Sequence, residues 1–145
     1  MIDVLFISIV DGEGKPIYIR ERYIQGSSRF DYALLSNIVG ALEQFASELG
    51  QKEVNAIRFE DSSIYTTKDN LTNVNFYLNG GPKAKSKEMT QLLTKIKDSF
   101  ITIFTDHLQD PPEEKSLLLK KFEESLEYLL KGRFISDAAE FLSSI

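Results

Sequence analysis

The residues best placed to bind a ligand form a glycine-rich, basic stretch in the middle of the chain. It reads Gly80-Gly81-Pro82-Lys83-Ala84-Lys85-Ser86, with Lys87 next, and it leads into a predicted helix that Ser86 is expected to cap. Backbone N–H groups and the helix dipole favour anions at such a position. We therefore predict a site for a phosphate or an acidic lipid headgroup built from Lys83, Lys85, Ser86 and Lys87. The alternative, which the weakness of the pattern favours, is a solvated connecting loop.

The other residues that could support chemistry form no recognisable catalytic pattern. Gly12-x-Gly14-Lys15 lacks the spacing and the Ser/Thr of a phosphate-binding loop and joins two predicted strands, so it indicates a hairpin turn. His107 is the single histidine and cysteine is absent, so a local hydrogen bond at a helix end is the simplest role for it. No Gly-x-Ser-x-Gly motif is present. We predict no catalytic residue, no metal site and no cofactor.

The composition is that of an ordinary soluble domain. The chain has 145 residues, 42% of them hydrophobic and 27% charged, which predicts one domain with a proper core. No apolar run reaches the ~18–20 residues of a membrane span, and a signal peptide is not expected. The net charge of −5 opposes general binding to nucleic acids. The lack of cysteine fits a cytoplasmic protein, peripheral to membranes at most.

Alternating and continuous apolar patterns predict five strands. Met1–Val10 is apolar at odd and even positions, which is typical of a strand covered on both faces by helices. Pro16–Ile24 follows a glycine-containing turn; its half-polar pattern and its proline predict a strand at the edge of the sheet. Three short strands separated by turn-forming residues predict an antiparallel meander. They are Val54–Phe59, Ser63–Thr67 and Thr72–Leu78.

Apolar residues at three- and four-residue steps predict the helices. The first runs from a cap at Ser28 to Gly50, the second from Ser86 to Leu108, and the third from Asp110-Pro111-Pro112-Glu113 to about Gly132. Phe134–Ile145 is expected to form a short docked helix. The predicted apolar stripe of the first helix consists of Leu34, Leu35, Ile38, Val39, Leu42, Phe45, Ala46 and Leu49.

The order of elements, the opening Met1–Ile7 and the hairpin Asp11–Ile19 resemble the longin domain. The resemblance covers about residues 1–130. It implies an α+β sandwich with a five-stranded antiparallel sheet, whose elements follow along the chain in the order β-β-α-β-β-β-α-α. It places the first helix on one face and the later two on the other, with residues 131–145 as a C-terminal helical extension packed on the domain. Small clathrin-adaptor chains and tethering-complex subunits are similar in size. A roadblock domain has a similar sheet but usually begins with a helix, whereas this chain begins with a strand.

The resemblance implies a non-catalytic protein-interaction module, either a scaffold or regulator of a small GTPase or a subunit of a vesicle-trafficking-type complex. Expected partners are a small GTPase, another longin or roadblock-type domain, or a second copy. Tyr18, Arg20, Arg22 and Tyr23 on the predicted edge strand are the expected contact residues, since Arg and Tyr suit interfaces. Their alternative role is simply to cover the surface. The alternative function is a small-molecule or anion-sensing domain of PAS or GAF type.

Overall fold

The structure, a computed structural model, describes residues 4–21, 32–51 and 53–130. Within these ranges the predicted α+β class and the order of elements are confirmed. The predicted cap at Ser28 and the predicted helix at Phe134–Ile145 lie outside the described residues. The strands and helices are β1 (Val4–Val10), β2 (Pro16–Glu21), α1 (Tyr32–Glu48), β3 (Ala56–Arg58), β4 (Ser63–Asp69), β5 (Val74–Gly80), α2 (Ser86–Phe104) and α3 (Pro112–Leu130).

The five strands form one antiparallel sheet in the order β2-β1-β5-β4-β3. The β3–β4–β5 neighbours confirm the predicted meander, and the position of β2 confirms that it is an edge strand. β1 is buried along nearly its whole length between β2 and β5, as its continuous apolar pattern predicted. Within the described ranges the sheet therefore ends at β2 on one side and at β3 on the other.

The bounds of β3, β4, β5 and α2 differ from those predicted. β4 continues to Asp69, two residues beyond the predicted Thr67. β3 is shorter than Val54–Phe59, and α2 ends at Phe104, before the turns that lead to α3. β5 begins at Val74 because Thr72 belongs to the preceding turn, where its backbone N–H and its hydroxyl both donate to the Asp69 carboxylate. β5 then continues to Gly80, two residues beyond the predicted end, because β1 and β4 both pair with that part of it.

One face of the sheet packs against α2 and α3 through the main hydrophobic core. The aromatic side chains at its centre meet at close range: the Phe100 ring lies 5.5 Å from Phe76, 4.5 Å from Phe104 and 5.4 Å from Phe122. Such ring pairs add to the free energy gained from buried area. Every predicted apolar position of α2 from Met89 to Phe100 is buried. This face gives the domain its principal stabilising contacts.

The other face carries α1, whose C-terminal end follows the sequence prediction. Gly50 adopts a positive φ of 82° one residue past the helix cap, which glycine accepts without a steric penalty. Its N–H donates to the Ser47 carbonyl at 3.0 Å, and the Gln51 N–H donates to the Ala46 carbonyl at 2.8 Å. This pair of hydrogen bonds is the Schellman motif, which satisfies carbonyl groups at the end of the helix.

Only part of the predicted apolar stripe of α1 packs against the sheet. Val39 and Ala46 are buried and Leu35 is partly buried, but the other members of the stripe face solvent. The apolar residues span a wider arc of this helix than the part that contacts the sheet, so only one side of that arc is buried. The exposed members are Leu34, Ile38, Leu42, Phe45 and Leu49, here called the α1 stripe.

Candidate protein-interaction surface

The predicted contact residues of the second strand are engaged with α3. The Tyr18 ring meets Phe122 edge-on at 5.3 Å, and burial raises the pKa of the Tyr18 hydroxyl to about 12. The Arg20 guanidinium forms a 2.5 Å ion pair with Glu127, and the Arg20 side chain is only 10% exposed. Arg22 and Tyr23 lie outside the described residues. The structure thus gives Tyr18 and Arg20 partners inside the chain, and their role in binding another protein stays a prediction.

The basic stretch at the start of α2 differs from the prediction at Ser86. The N-cap is Lys85, whose side chain makes no capping hydrogen bond, and Ser86 is the first helical residue. The Ser86 hydroxyl is instead occupied across the sheet: Arg58 of β3 donates to it at 3.0 Å, and the Tyr65 hydroxyl lies 3.2 Å away. The cap expected at Ser86 is therefore wrong, because its hydroxyl serves a contact between β3, β4 and α2.

This contact brings Arg58 beside the predicted anion site, which sequence analysis missed. Arg58 and Ser86 are 28 positions apart, and no local pattern links them. Lys83, Lys85 and Lys87 are exposed, and Arg58 adds a further cation to the same end of α2. Anion binding by this group stays a prediction.

The other candidate chemical sites have the simple roles expected of them. Asp11 accepts hydrogen bonds from the Glu13 and Lys15 N–H groups at 2.8 and 2.9 Å, so the Gly12–Lys15 segment is a hairpin turn. His107 Nδ1 lies 2.8 Å from the Asp110 carboxylate, three residues later in the α2–α3 connection, which confirms the local hydrogen bond. Among the described residues there is no group of three or more metal-ligating side chains. None of the helices in the described part of the chain is long and apolar enough to span a membrane.

The α1 stripe is the most prominent exposed apolar feature of the described chain. Phe45 is 58% exposed and Leu49 63%, while Leu34, Ile38 and Leu42 range from 36 to 54%. Their spacing of three and four residues places them along one side of the helix. Scattered exposed apolar residues are normal on a protein surface, but five along one side of a helix mark a candidate interaction surface.

β3 forms one edge of the sheet in the described part of the chain. Ile57 of β3 packs in the same small cluster as Leu35 and Val39 of α1. Asn55 and Phe59 direct their backbone groups toward β4, where Asn55 O accepts from Thr66 N and Phe59 N donates to Ser62 O. Backbone groups alternate in direction along a strand, so those of Ala56 and Arg58 face outward. This edge therefore offers hydrogen-bonding groups to an added strand.

The described helices cover the two faces of the sheet unequally. Five strands about 4.8 Å apart place the outermost strands about 19 Å from each other, whereas a helix with its side chains is about 10 Å wide. Two helices cover the α2–α3 face. On the opposite face, α1 is the one helix found in the described part of the chain. Among the described residues, α1 alone therefore covers this wide face.

Comparison with known proteins supports the fold. The chain is similar to the Roadblock/LC7 domain from Streptomyces avermitilis, with a TM-score of 0.58 and 10% identity, over 71% of this chain and 87% of that one. It is also similar to Myxococcus xanthus MglB (TM-score 0.46, 17% identity, 85% of each chain) and to the gliding protein MglB of Thermus thermophilus (0.45, 14%, 88% of this chain and 78% of that one). No family model and no curated protein matches the sequence.

The predicted architecture is thereby confirmed as a fold similar to that of the Roadblock/LC7 domain. The five-stranded antiparallel sheet with three helices is the architecture shared with the Roadblock/LC7 domain. The folds are similar even though this chain begins with a strand, where a roadblock domain usually begins with a helix. Element order was therefore a better guide to the fold than any single motif.

Proposed function

We propose that this chain is a non-catalytic protein-interaction module that associates with a second copy of itself through the α1 stripe and the outer edge of β3. In this role it serves as a scaffold or regulator of a small GTPase. The observations that carry the proposal are the exposed stripe of five large apolar side chains on α1 and the edge of the sheet at β3.

The geometry favours a symmetric partner. Antiparallel pairing of two β3 strands about a twofold axis perpendicular to the sheet extends one sheet into the other. That axis keeps equivalent faces on the same side, so the two α1 helices lie on one face of the combined sheet. Each α1 then fills room beside the other that a single helix leaves open. An isologous contact of this kind buries both stripes at once and pairs both β3 edges.

The energetics are adequate for stable association. Fully burying a Leu, Ile or Phe side chain is worth roughly 1.5–3 kcal/mol. The five stripe residues are between 36 and 63% exposed, so burying the exposed part of each side chain provides about half of that free energy. Two stripes together offer roughly 10 kcal/mol before the costs of association are subtracted. Backbone hydrogen bonds at Ala56 and Arg58 fix the register, as in other strand additions.

The role with a small GTPase is supported by the resemblance to longin domains. It is tested by light scattering of the purified chain alone and mixed with small GTPases in each nucleotide state. We expect a concentration-dependent dimer of the chain and a further complex with a GTPase in one nucleotide state. A strictly monomeric chain that binds no GTPase would contradict the proposal.

The β3 edge is tested by Ala56→Pro. Proline lacks the N–H that Ala56 points outward, so the variant loses a bond to the added strand but none to β4. We expect the dimer to weaken about tenfold or more while the monomer keeps its circular dichroism spectrum. Ala56→Ser, which retains the N–H, is the matched control and should dimerise normally. Equal dimerisation of the two variants would refute pairing through β3.

A further inference from the structure

The two faces of the sheet hold their helices very differently. Among the described residues, the buried cluster on the α2–α3 face has 16 members and the one on the α1 face has five. Of the α1 side chains from Leu34 to Glu48, only Val39 and Ala46 are buried. α2, a helix of similar length, buries six. Few buried apolar contacts are the physical signature of an element that opens at low free energy.

The strand surface beneath α1 is partly polar. All three buried polar residues of the described chain, Ser8, Thr66 and Asn79, lie on strand positions that alternate with the apolar ones facing α2 and α3. Ser8 is opposite Tyr77, and Tyr77 is opposite Thr66, so polar groups cross the sheet in one row. The Ser8 hydroxyl is fully buried and has no hydrogen-bond partner in the described part of the chain. This surface gives α1 less apolar area to pack on than the opposite face gives α2.

We propose that docking of α1 on its own sheet is coupled to association: in the free chain α1 is docked only part of the time, and the second copy holds it in place. The inference rests on the proposed function, because it concerns the same surface. Because both copies must have α1 docked, the apparent dissociation constant then equals the intrinsic constant divided by the square of the docked fraction. Any substitution that weakens docking weakens dimerisation, even where the substituted side chain never touches the partner.

The test uses Val39→Ala, because Val39 lies on the buried side of α1 and is not part of the α1 stripe. The dimer dissociation constant is measured by analytical ultracentrifugation at a temperature where every variant is folded. We expect Val39→Ala to raise the constant about fivefold or more, since it removes two carbons from the weakest cluster. The control is Leu126→Ala on the buried side of α3. It should lower the melting temperature at least as much as Val39→Ala does, and leave the dissociation constant within about twofold of wild type.

A second measurement separates this inference from the proposed function. In the Ala56→Pro variant, at a concentration where sedimentation shows it to be monomeric, backbone amides of α1 should exchange with solvent at least about 100-fold faster than those of α2 around Ile96 and Phe100. Equal protection of the two helices, or an unchanged dissociation constant for Val39→Ala, overturns the coupling while leaving dimerisation intact. Failure of the wild-type chain to dimerise refutes the proposed function instead, and the exchange comparison still decides whether α1 is weakly docked.

Discussion

Phe45 of the α1 stripe should matter much more for association than for folding. It is 58% exposed in the single chain, so replacing it with serine removes few internal contacts. Surface substitutions of this kind usually change stability by less than about 0.5 kcal/mol. The same side chain becomes covered when two stripes meet. Phe45→Ser therefore separates a loss of association from a loss of folding.

The expected size of the effect follows from the exposed area. A phenylalanine buries roughly 150–250 Å², so the exposed 58% corresponds to about 90–145 Å². At roughly 25 cal/mol per Å² this area is worth about 2–4 kcal/mol per copy. Since each 1.4 kcal/mol is about tenfold, the dissociation constant should rise at least about 30-fold, and more because both copies lose the ring.

The assay is sedimentation equilibrium over a concentration series, with urea unfolding of each variant measured alongside. Leu117→Ser is the matched control, because Leu117 is 70% exposed but lies on α3, away from the stripe. It should leave the dissociation constant unchanged. If Phe45→Ser changes the constant less than about threefold, or if Leu117→Ser weakens the dimer equally, the α1 stripe is not the association surface.

Three further predictions concern other parts of the molecule. Ser8→Ala should raise the free energy of unfolding by about 1 kcal/mol, because it removes a buried hydroxyl that has no partner among the described residues; urea denaturation that shows a loss instead would contradict this. The pKa of Tyr18, raised by burial from 10.0 to about 12, means that its contribution to stability is complete below pH 10 and is lost as the pH rises toward 12. Unfolding curves of wild type and Tyr18→Phe should diverge in that window. Reversing the charges at Lys83 and Lys85 should weaken binding to phosphate or to anionic vesicles, and unchanged binding would end the anion-site prediction.

The α2–α3 side of the fold could be predicted from the sequence because local pattern and burial agree there. Met89, Phe100 and Phe122 lie on narrow apolar stripes, and each of these side chains is fully buried in the core. The caps and turns could also be predicted from the sequence where one residue type suits one backbone conformation. Gly50 is the clearest case, since its positive φ is what the end of α1 requires.

The candidate site was not predictable in the same way. The periodicity of α1 correctly indicates an amphipathic helix, but it cannot distinguish burial against the chain's own sheet from burial against another chain. Val39 and Phe45 look alike as members of one apolar set, yet one is 2% exposed and the other 58%. Contacts between distant residues were equally hidden, as with Arg58 and Ser86 or Tyr18 and Phe122. Each depends on how the strands are ordered, which no local spacing specifies.

The unequal faces of the sheet allow folding and association to be controlled by separate sets of residues. The aromatic side chains around Phe100 stabilise the domain whether or not a partner is present, since both their neighbours and their buried area come from the same chain. The α1 face has the opposite character, with five exposed apolar residues above a row of buried polar ones. A helix packed as firmly as α2 would have its apolar side chains inside and little to offer a second chain. The exposed stripe and the weak docking of α1 are thus two consequences of one arrangement, in which part of the apolar surface of the helix is left for a partner to bury.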